Sequence, residues 1–388
     1  MTDTMPDMKP TNAQLIGRED LNDMEAIISM ANTNADEIVH RVTNPADTIF
    51  TWDYTKGAKP GVHKLYEKAK DAQWNGETDL PWEIEVDPEK VVAENALAQS
   101  AAGMGPDTLS NLGPFAKFND NDWLQLGIES NAWTLSQFLH GEQGALVCTA
   151  KIVETVPWID AKYYAATQVM DEARHVEVFA KYLQDKWAVD YPVNAHLGAL
   201  LDDILIDNRW DMTYLGMQIM VEGLALAAFG FMHQMTTEPL LKKLLRYVMS
   251  DEARHVAFGV LSLKDHYAEL TDGEIFERQE FAFEAAVRMR DRLLQQEVWE
   301  RMGINPKDVM ELAVEDPGRQ LFQMMLFSKI VPNCKKLGLL DRNESWLRHR
   351  FEDLGVIQFE DWVDTGDEYE KFSLEQLAEE EAAQAANA

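Results

Sequence analysis

The chain has 388 residues, 46% of them hydrophobic, with 11 Trp and 18 Met, which is enough apolar material for a large core in one big domain or two ordinary ones. Its 35 basic residues against 67 acidic ones leave a formal net charge of −32, so nucleic acid and anionic membranes are set aside as main partners. Two cysteines, Cys148 and Cys334, make neither a disulfide framework nor a thiolate metal cage, and the opening "MTDTMPDMKPTNAQ" lacks a basic cluster leading into an apolar run, so a cytoplasmic setting is expected.

In chain order, residues 1–15 read as disordered. The segment 43–88 holds Pro45, Gly57, Pro60, Gly61, Gly76, Pro81 and Pro88, so regular structure there is expected to be short and broken. Its Trp52, Trp74 and Trp82 mark it as packed on the body, so 1–88 is one N-terminal unit. From 89 to 355 the pattern is helical, with helices expected over 89–102, 120–155, 158–188, 194–207, 210–236, 239–267, 272–302, 318–337 and 343–353. Pro157, Pro192, Pro239, the "TDG" at 271–273, Pro306 and the pair Pro317-Gly318 punctuate them. No run alternates like a strand, so the fold class is all-α. Leu215 to Met232 is long and apolar enough to span a bilayer, but Glu222 stands in its middle and Asp211 just before it, which favours a buried core helix. Residues 356–388 form an acidic, alanine-rich tail.

One motif recurs. The chain reads "MDEARHVEVF" at 170–179 and "SDEARHVAFG" at 250–259, and thirty residues before Glu172 and Glu252 stand Glu142 and Glu222. The pattern E-x28-D-E-x-x-H therefore occurs twice. Pro157 and Pro239 lie near the midpoints, and Pro suits the first turn of a helix. If the chain turns there, each glutamate is about fifteen residues, or roughly 22 Å, from the turn, and the two face each other on antiparallel helices. His175 and His255 each lie three residues after a glutamate, on the same face.

Around these residues the one-turn neighbours are apolar: Phe138, Leu139, Ala145 and Leu146 near Glu142, and Ile219, Ala225 and Leu226 near Glu222. The stripes belong to a core. Four buried carboxylates need compensation, because like charges in a low dielectric force protonation unless cations neutralise them. Four Glu and two His suit two iron or manganese ions better than the all-oxygen sets of calcium or the thiolate sets of zinc. In the dinuclear four-helix pattern, Glu142 and Glu222 are the single glutamates, Glu172 and Glu252 bridge, and His175 and His255 each cap one ion. Asp171 and Asp251 are placed to accept from an imidazole N–H, or to pair with Arg174 and Arg254 three residues on. Gln168, Gln218, Thr149 and Phe179 are candidates for a pocket beside the metals.

These residues resemble the ferritin-like di-iron carboxylate superfamily, and within it the oxygenases grouped with p-aminobenzoate N-oxygenase and the ribonucleotide reductase small subunit. The likeness covers about 120–265. The segment "KLYEKAKDAQWNGETDLPW" at 64–82 also looks like the amino-terminal part of such proteins. The resemblance implies a ferritin-like four-helix bundle with added helices, two Fe ions per chain (or Mn, or mixed Mn/Fe), reaction with O2, and a homodimer. It implies an oxidoreductase that hydroxylates, N-oxygenates or desaturates a small organic substrate. With no flavin or nucleotide loop in the sequence, the electrons come from an external donor or from the substrate itself.

The chain departs from its relatives at two places. Phe179 stands where reductase subunits carry a radical tyrosine, and residues 240–251 lack the extra His of the aminobenzoate enzymes. The alternatives are iron oxidation and storage or peroxide defence as in ferritins, a radical protein like the reductase subunit, or a bundle that metal merely stabilises.

Overall fold

The computed structural model describes residues 20–30, 39–101, 113–315, 317–376 and 379. Residues 1–15 and the end of the tail lie outside them. Among the described residues there are helices and loops and no strand.

Four long helices form the centre: α4 (Asp120–Thr155), α5 (Ile159–Tyr182), α7 (Trp210–Met235) and α8 (Pro239–Glu269). Before them come α1 (Met24–Ser29), α2 (Pro60–Asp71) and α3 (Pro88–Ala101), and α6 (Ala195–Ile206) stands between the two hairpins. After them follow α9 (Asp272–Arg292), α10 (Gln296–Arg301), α11 (Pro306–Glu315), α12 (Pro317–Leu326), α13 (Ile330–Lys336), α14 (Trp346–Asp353) and α15 (Thr365–Glu368). This is the ferritin-like four-helix architecture, with helical additions, that the repeat implied.

The ends of the central helices explain their register. Asn119 caps α4 from both directions: its side chain accepts from Asn121 and Asp122 amides, and the Asp122 carboxylate accepts from the Asn119 amide. Residues 156–158 turn the chain into α5. In the second hairpin Pro239 opens α8 at a position that needs no N–H, and the Glu238 carboxylate accepts from the Leu240 and Leu241 amides at 2.8 and 2.6 Å. Tyr182, from α5, donates to the same carboxylate at 3.0 Å, which ties one hairpin to the turn of the other. α4 packs along α5, α7 along α8, and α5 lies beside α8.

Helix α7 is long and apolar enough to cross a membrane, but 72% of its most apolar window is buried inside the protein, as in a core helix. It is not uniform: Leu215–Val221 winds as a π-helix between two α-helical pieces, ending directly before Glu222. Such wide turns inside α-helices are frequent at functional sites.

Several expectations are corrected. Residues 60–71 form a three-turn helix rather than broken structure. Pro60 begins it instead of interrupting it, and Val62, Leu65 and Ala69 bury one stripe. The helix expected over 272–302 breaks after Arg292, and Gln295, with φ 53°, restarts the chain as α10. That expected over 318–337 divides between α12 and α13. The helix expected over 158–188 keeps its extent: α5 continues as a π turn at Leu183–Trp187 and stops at Ala188, φ 57°. The C-terminal segment is no free tail at its start, because Val356, Phe359, Thr365 and Tyr369 are buried and short helical turns pack on α8. Acidic neighbours hid these anchors in the sequence.

Candidate metal centre

The two hairpins bring Glu142, Glu172, His175, Glu222, Glu252 and His255 together, each at most 4% exposed. Donor atoms of Glu142, Glu172, His175 and Glu252 lie within 4.8 Å of one another, as do those of Glu172, Glu222 and His255, so Glu172 belongs to both groups. Nδ1 of His175 faces three carboxylates: Glu142 and Glu252 at 3.1 Å and Glu172 at 3.4 Å. Nδ1 of His255 faces Glu172 at 3.0 Å and Glu252 at 3.6 Å. One imidazole N–H serves one acceptor well, not three.

The far nitrogens are fixed by the aspartates, crosswise between the copies of the motif. Nε2 of His175 lies 3.1 Å from Asp251, and Nε2 of His255 lies 3.4 Å from Asp171. A proton held on Nε2 by a carboxylate leaves the Nδ1 lone pair directed at the cluster. The aspartates also pair with arginines of their own motifs. Arg174 donates to Asp171 at 2.5 Å and reaches Asp251 at 3.2 Å, while Arg254 pairs closely with Asp251. Both roles considered from sequence are therefore filled at once.

Residues at the end of α2 complete this side and were not foreseen as partners. Trp74 Nε1 donates to Asp251 at 2.7 Å, and Gln73 donates to Asp171 at 3.0 Å while accepting from Arg174 at 3.1 Å. The Arg174 guanidinium lies over the Trp74 ring, 4.6 Å from its centroid. A tryptophan in a proline-broken segment was the available signal; it marked packing but not this contact.

The electrostatics are those of crowded buried acids. Burial, then the charge of Glu252, pushes the Glu142 carboxyl well above its ordinary range; burial, Glu172 and Glu252 do the same to Glu222. Burial works in the same direction on Glu172, but His255 and His175 outweigh it and hold that carboxyl low. Burial lowers His175, while hydrogen bonds that its ring donates to Asp251 and Glu142 raise it, and it ends well above the usual imidazole value. Protons thus stand between these groups in the absence of a cation.

The donor set fits two metal ions. Glu172 Oε2, Glu222 Oε2, both Glu252 oxygens and His255 Nδ1 are buried without a hydrogen-bond partner. Orphaned polar atoms of this number cost free energy unless cations engage them. Oxygen donors with one imidazole per group match iron or manganese.

A narrow cleft with about 20 Å³ of free room, enough for little more than a water molecule, opens partly to solvent and reaches the cluster between α4 and α7. Phe138, Ala145, Val221, Ala225 and Phe229 give its apolar surface, and Glu142, Glu222 and Glu252 also line it. None of the four pocket candidates does. Gln168 is enclosed and donates to Glu172 and Glu222 at 3.0 and 2.9 Å. Gln218 lies under Gly259, on the π segment. Thr149 is fully buried, and Phe179 packs behind Phe138 and Phe229, 6.0 and 5.7 Å between centroids. They share stripes with the ligands, but at their levels those stripes face neighbouring helices. Cys148 is buried packing, and His140 bonds the Tyr191 carbonyl at 2.8 Å, away from the cluster.

No family model and no curated protein matches the chain. Among solved structures it is similar to an R2-like ligand-binding oxidase with an aerobically reconstituted metal cofactor after photoconversion, at 16% identity over 74% of this chain and 99% of that one, TM-score 0.48. It is likewise similar to an R2-like ligand-binding oxidase with an aerobically reconstituted Mn/Fe cofactor, at 15% identity over 74% and 98%, TM-score 0.47. This is a resemblance to R2-like oxidases at a distance that transfers no residue role to this chain.

Proposed function

We propose that the chain is a non-haem dinuclear-metal oxidoreductase, with two iron ions or a mixed manganese–iron pair, that uses O2 to oxidise a small organic substrate. The observation that carries it is the convergence of four buried glutamates and two histidines in two overlapping groups, with the imidazole Nδ1 atoms aimed inward. In this reading Glu142 and Glu222 serve one ion each, Glu172 and Glu252 are shared, and His175 and His255 complete the two sites. When bound, the ions supply the redox chemistry that reduces O2 and oxidises the substrate.

The protein's own contributions are geometric and electrostatic. Asp171 and Asp251 hold the imidazole tautomers, and Arg174 and Arg254 pair with those aspartates and hold them in place. Trp74 and Gln73 close the histidine side against water. Phe138 and Phe229 keep the cleft side apolar, and Gln168 fixes the orientation of Glu172 and Glu222. Hydroxylation, N-oxygenation and desaturation all fit this frame. Electrons come from a separate reductase or from the substrate, and the working form is a cytoplasmic homodimer.

An anaerobic Fe(II) titration followed by O2, with optical spectra recorded, tests the proposal. Saturation at two irons per chain with a transient visible band is the expected result. Uptake continuing far past two with a featureless ferric product indicates iron storage instead, and absence of tight binding overturns the six-ligand assignment.

A further inference from the structure

Arg292, the last residue of α9, lines the cleft together with Glu142, Glu222 and Glu252. It is 7% exposed. Its Nε is buried without a hydrogen-bond partner, and among the described residues no acceptor engages the guanidinium. No charged group acts on its acidity, and burial alone brings its pKa down to about 10. The other well-buried arginines are paired: Arg174 and Arg254 with Asp171 and Asp251, and Arg278 with Asp211.

A buried cation without a counter-ion is costly, and such groups ordinarily have a partner. A water molecule would accept a hydrogen bond and leave the charge unmatched. The metal cluster does not match it either, because two divalent cations neutralise four glutamates and the arginine's charge is left over. The room beside it decides the size of the partner. About 20 Å³ takes one water-sized group, and the Phe138 and Phe229 rings, 4.7 Å apart between centroids, close the cleft to anything bulkier. Carboxylic acids and phosphates are excluded by size. What remains is a monatomic or diatomic monoanion, received by the guanidinium N–H groups.

We propose that Arg292 binds a small inorganic monoanion in the cleft, and that during turnover this anion is the one-electron-reduced form of O2. The second half rests on the dinuclear oxidoreductase reading; the first half does not. The electron count is simple: one electron passes from a ferrous ion to O2, giving a ferric ion and superoxide, and no proton moves. Arg292 gains an ion pair with the anion and none with neutral O2, so it lowers the free energy of the reduced molecule relative to the unreduced one. Only an interaction that strengthens as charge develops accelerates such a step. A guanidinium with no partner of its own is already in place for it, whereas Arg174, Arg254 and Arg278 would each have to leave an aspartate.

The test uses full-length protein in metal-free form and in anaerobic Fe(II)-loaded form, with metal content measured separately. Fluoride, chloride and iodide are titrated calorimetrically at constant ionic strength into wild type, Arg292→Lys and Arg292→Met. Fluoride, the nearest of the three to water in size, binds wild type in both forms, and affinity falls from fluoride to iodide. Arg292→Met loses about tenfold or more in fluoride affinity, while Arg292→Lys, which keeps the charge without the fork, loses less. Fluoride raises the unfolding temperature of metal-free wild type and leaves that of Arg292→Met unmoved. All three proteins hold the same metal. On stopped-flow mixing with O2, oxidation of bound Fe(II) slows by about tenfold or more in Arg292→Met, and added fluoride slows wild type alone. Iodide binding best overturns the enclosed site, and equal fluoride binding by Arg292→Met overturns the assignment to this residue. Binding confined to the metal-loaded form makes the ions the anchor, and metal loss in both variants makes the arginine a support of the cluster; either overturns the proposal. Unchanged oxidation in an Arg292→Met protein that has lost fluoride binding overturns the role in turnover. Failure of wild type to take up metal, with Arg292-dependent fluoride binding intact, fails the oxidoreductase reading and leaves the anion site standing.

Discussion

The cluster has two unlike sides. On the histidine side, α2 closes over α5 and α8, and the two aspartates are held from several directions: Asp251 receives Trp74, Arg174, Arg254 and His175, while Asp171 receives Gln73, Arg174 and His255. On the single-glutamate side, between α4 and α7, there is a cleft, an orphaned Glu222 oxygen, and an arginine with no acid. A satisfied network rigidifies what it holds. An unsatisfied surface is where a ligand changes the energy most. The near-identical repeats thus serve different ends once folded: the histidine-bearing helices fix geometry, and the helices carrying lone glutamates face what enters.

The comparison breaks first at the shared ligand. Glu172→Ala removes donor atoms from both groups, and metal analysis after anaerobic Fe(II) loading is expected to fall from two ions per chain to one or fewer. Retention of two ions means that Glu172 is not shared. Next in size is the contrast between the aspartates. Asp251→Asn leaves Arg174 and Arg254 short of a buried counter-charge, so about 3–5 kcal/mol of stability should be lost, with metal affinity down by about 10–100-fold. Asp171→Asn removes fewer and longer contacts and should cost less by both measures in denaturant unfolding and metal titration. Equal losses would show that the two motifs are equivalent after all.

A third variant probes how closely the π segment of α7 rests on α8. A Cβ at Gly259 falls 2.7 Å from Gln218 Cβ, an atom fixed to the backbone, and 3.1 Å from the Ile219 Cδ1 methyl. Gly259→Ala is therefore expected to destabilise the protein by about 1–3 kcal/mol through overpacking. The matching change at Gly141, beside Glu142 in mid-helix, meets nothing within 4 Å and should stabilise by about 0.5–1 kcal/mol.

The legibility of the molecule divides along the same line. The six metal-site candidates were readable because a repeat with a fixed spacing survives the absence of coordinates: thirty residues around a proline turn place two side chains level whatever the rest of the chain does. The helix ends were readable where capping residues or prolines announce them, as at Asn119 and Pro239. Pro60 misled, since the residue that begins a helix reads like one that breaks structure. The crossing of Asp251 to His175 and of Asp171 to His255 was hidden because each aspartate lies in the same short motif as the other's histidine. The cleft was hidden more deeply. Counting turns chose Gln168, Gln218, Thr149 and Phe179 because they share stripes with ligands, but which stripe meets a neighbour and which meets space is decided between helices. Arg292, in "RMRDRLLQQ", is one arginine among several until α9 ends beside the cleft.

The smallest expected effect sharpens the comparison most. Ala225 lines the cleft from α7 and is only partly buried. Ala225→Leu adds bulk to a narrow, partly open wall, so about 1 kcal/mol of stability should be lost through crowding. The metal donors are untouched, and two ions per chain should still bind. What should fall is the rate at which O2 oxidises bound Fe(II), by tenfold or more, because the added methyl groups narrow the cleft beside Glu142 and Glu222. Thermal unfolding, metal analysis and stopped-flow oxidation on one preparation separate the three quantities. Slower oxidation with metal and stability intact places the entry route on the single-glutamate side. Metal loss comparable to that of Glu172→Ala would mean that the cleft wall and the ligand shell are one unit and that the two sides of the cluster are not separable.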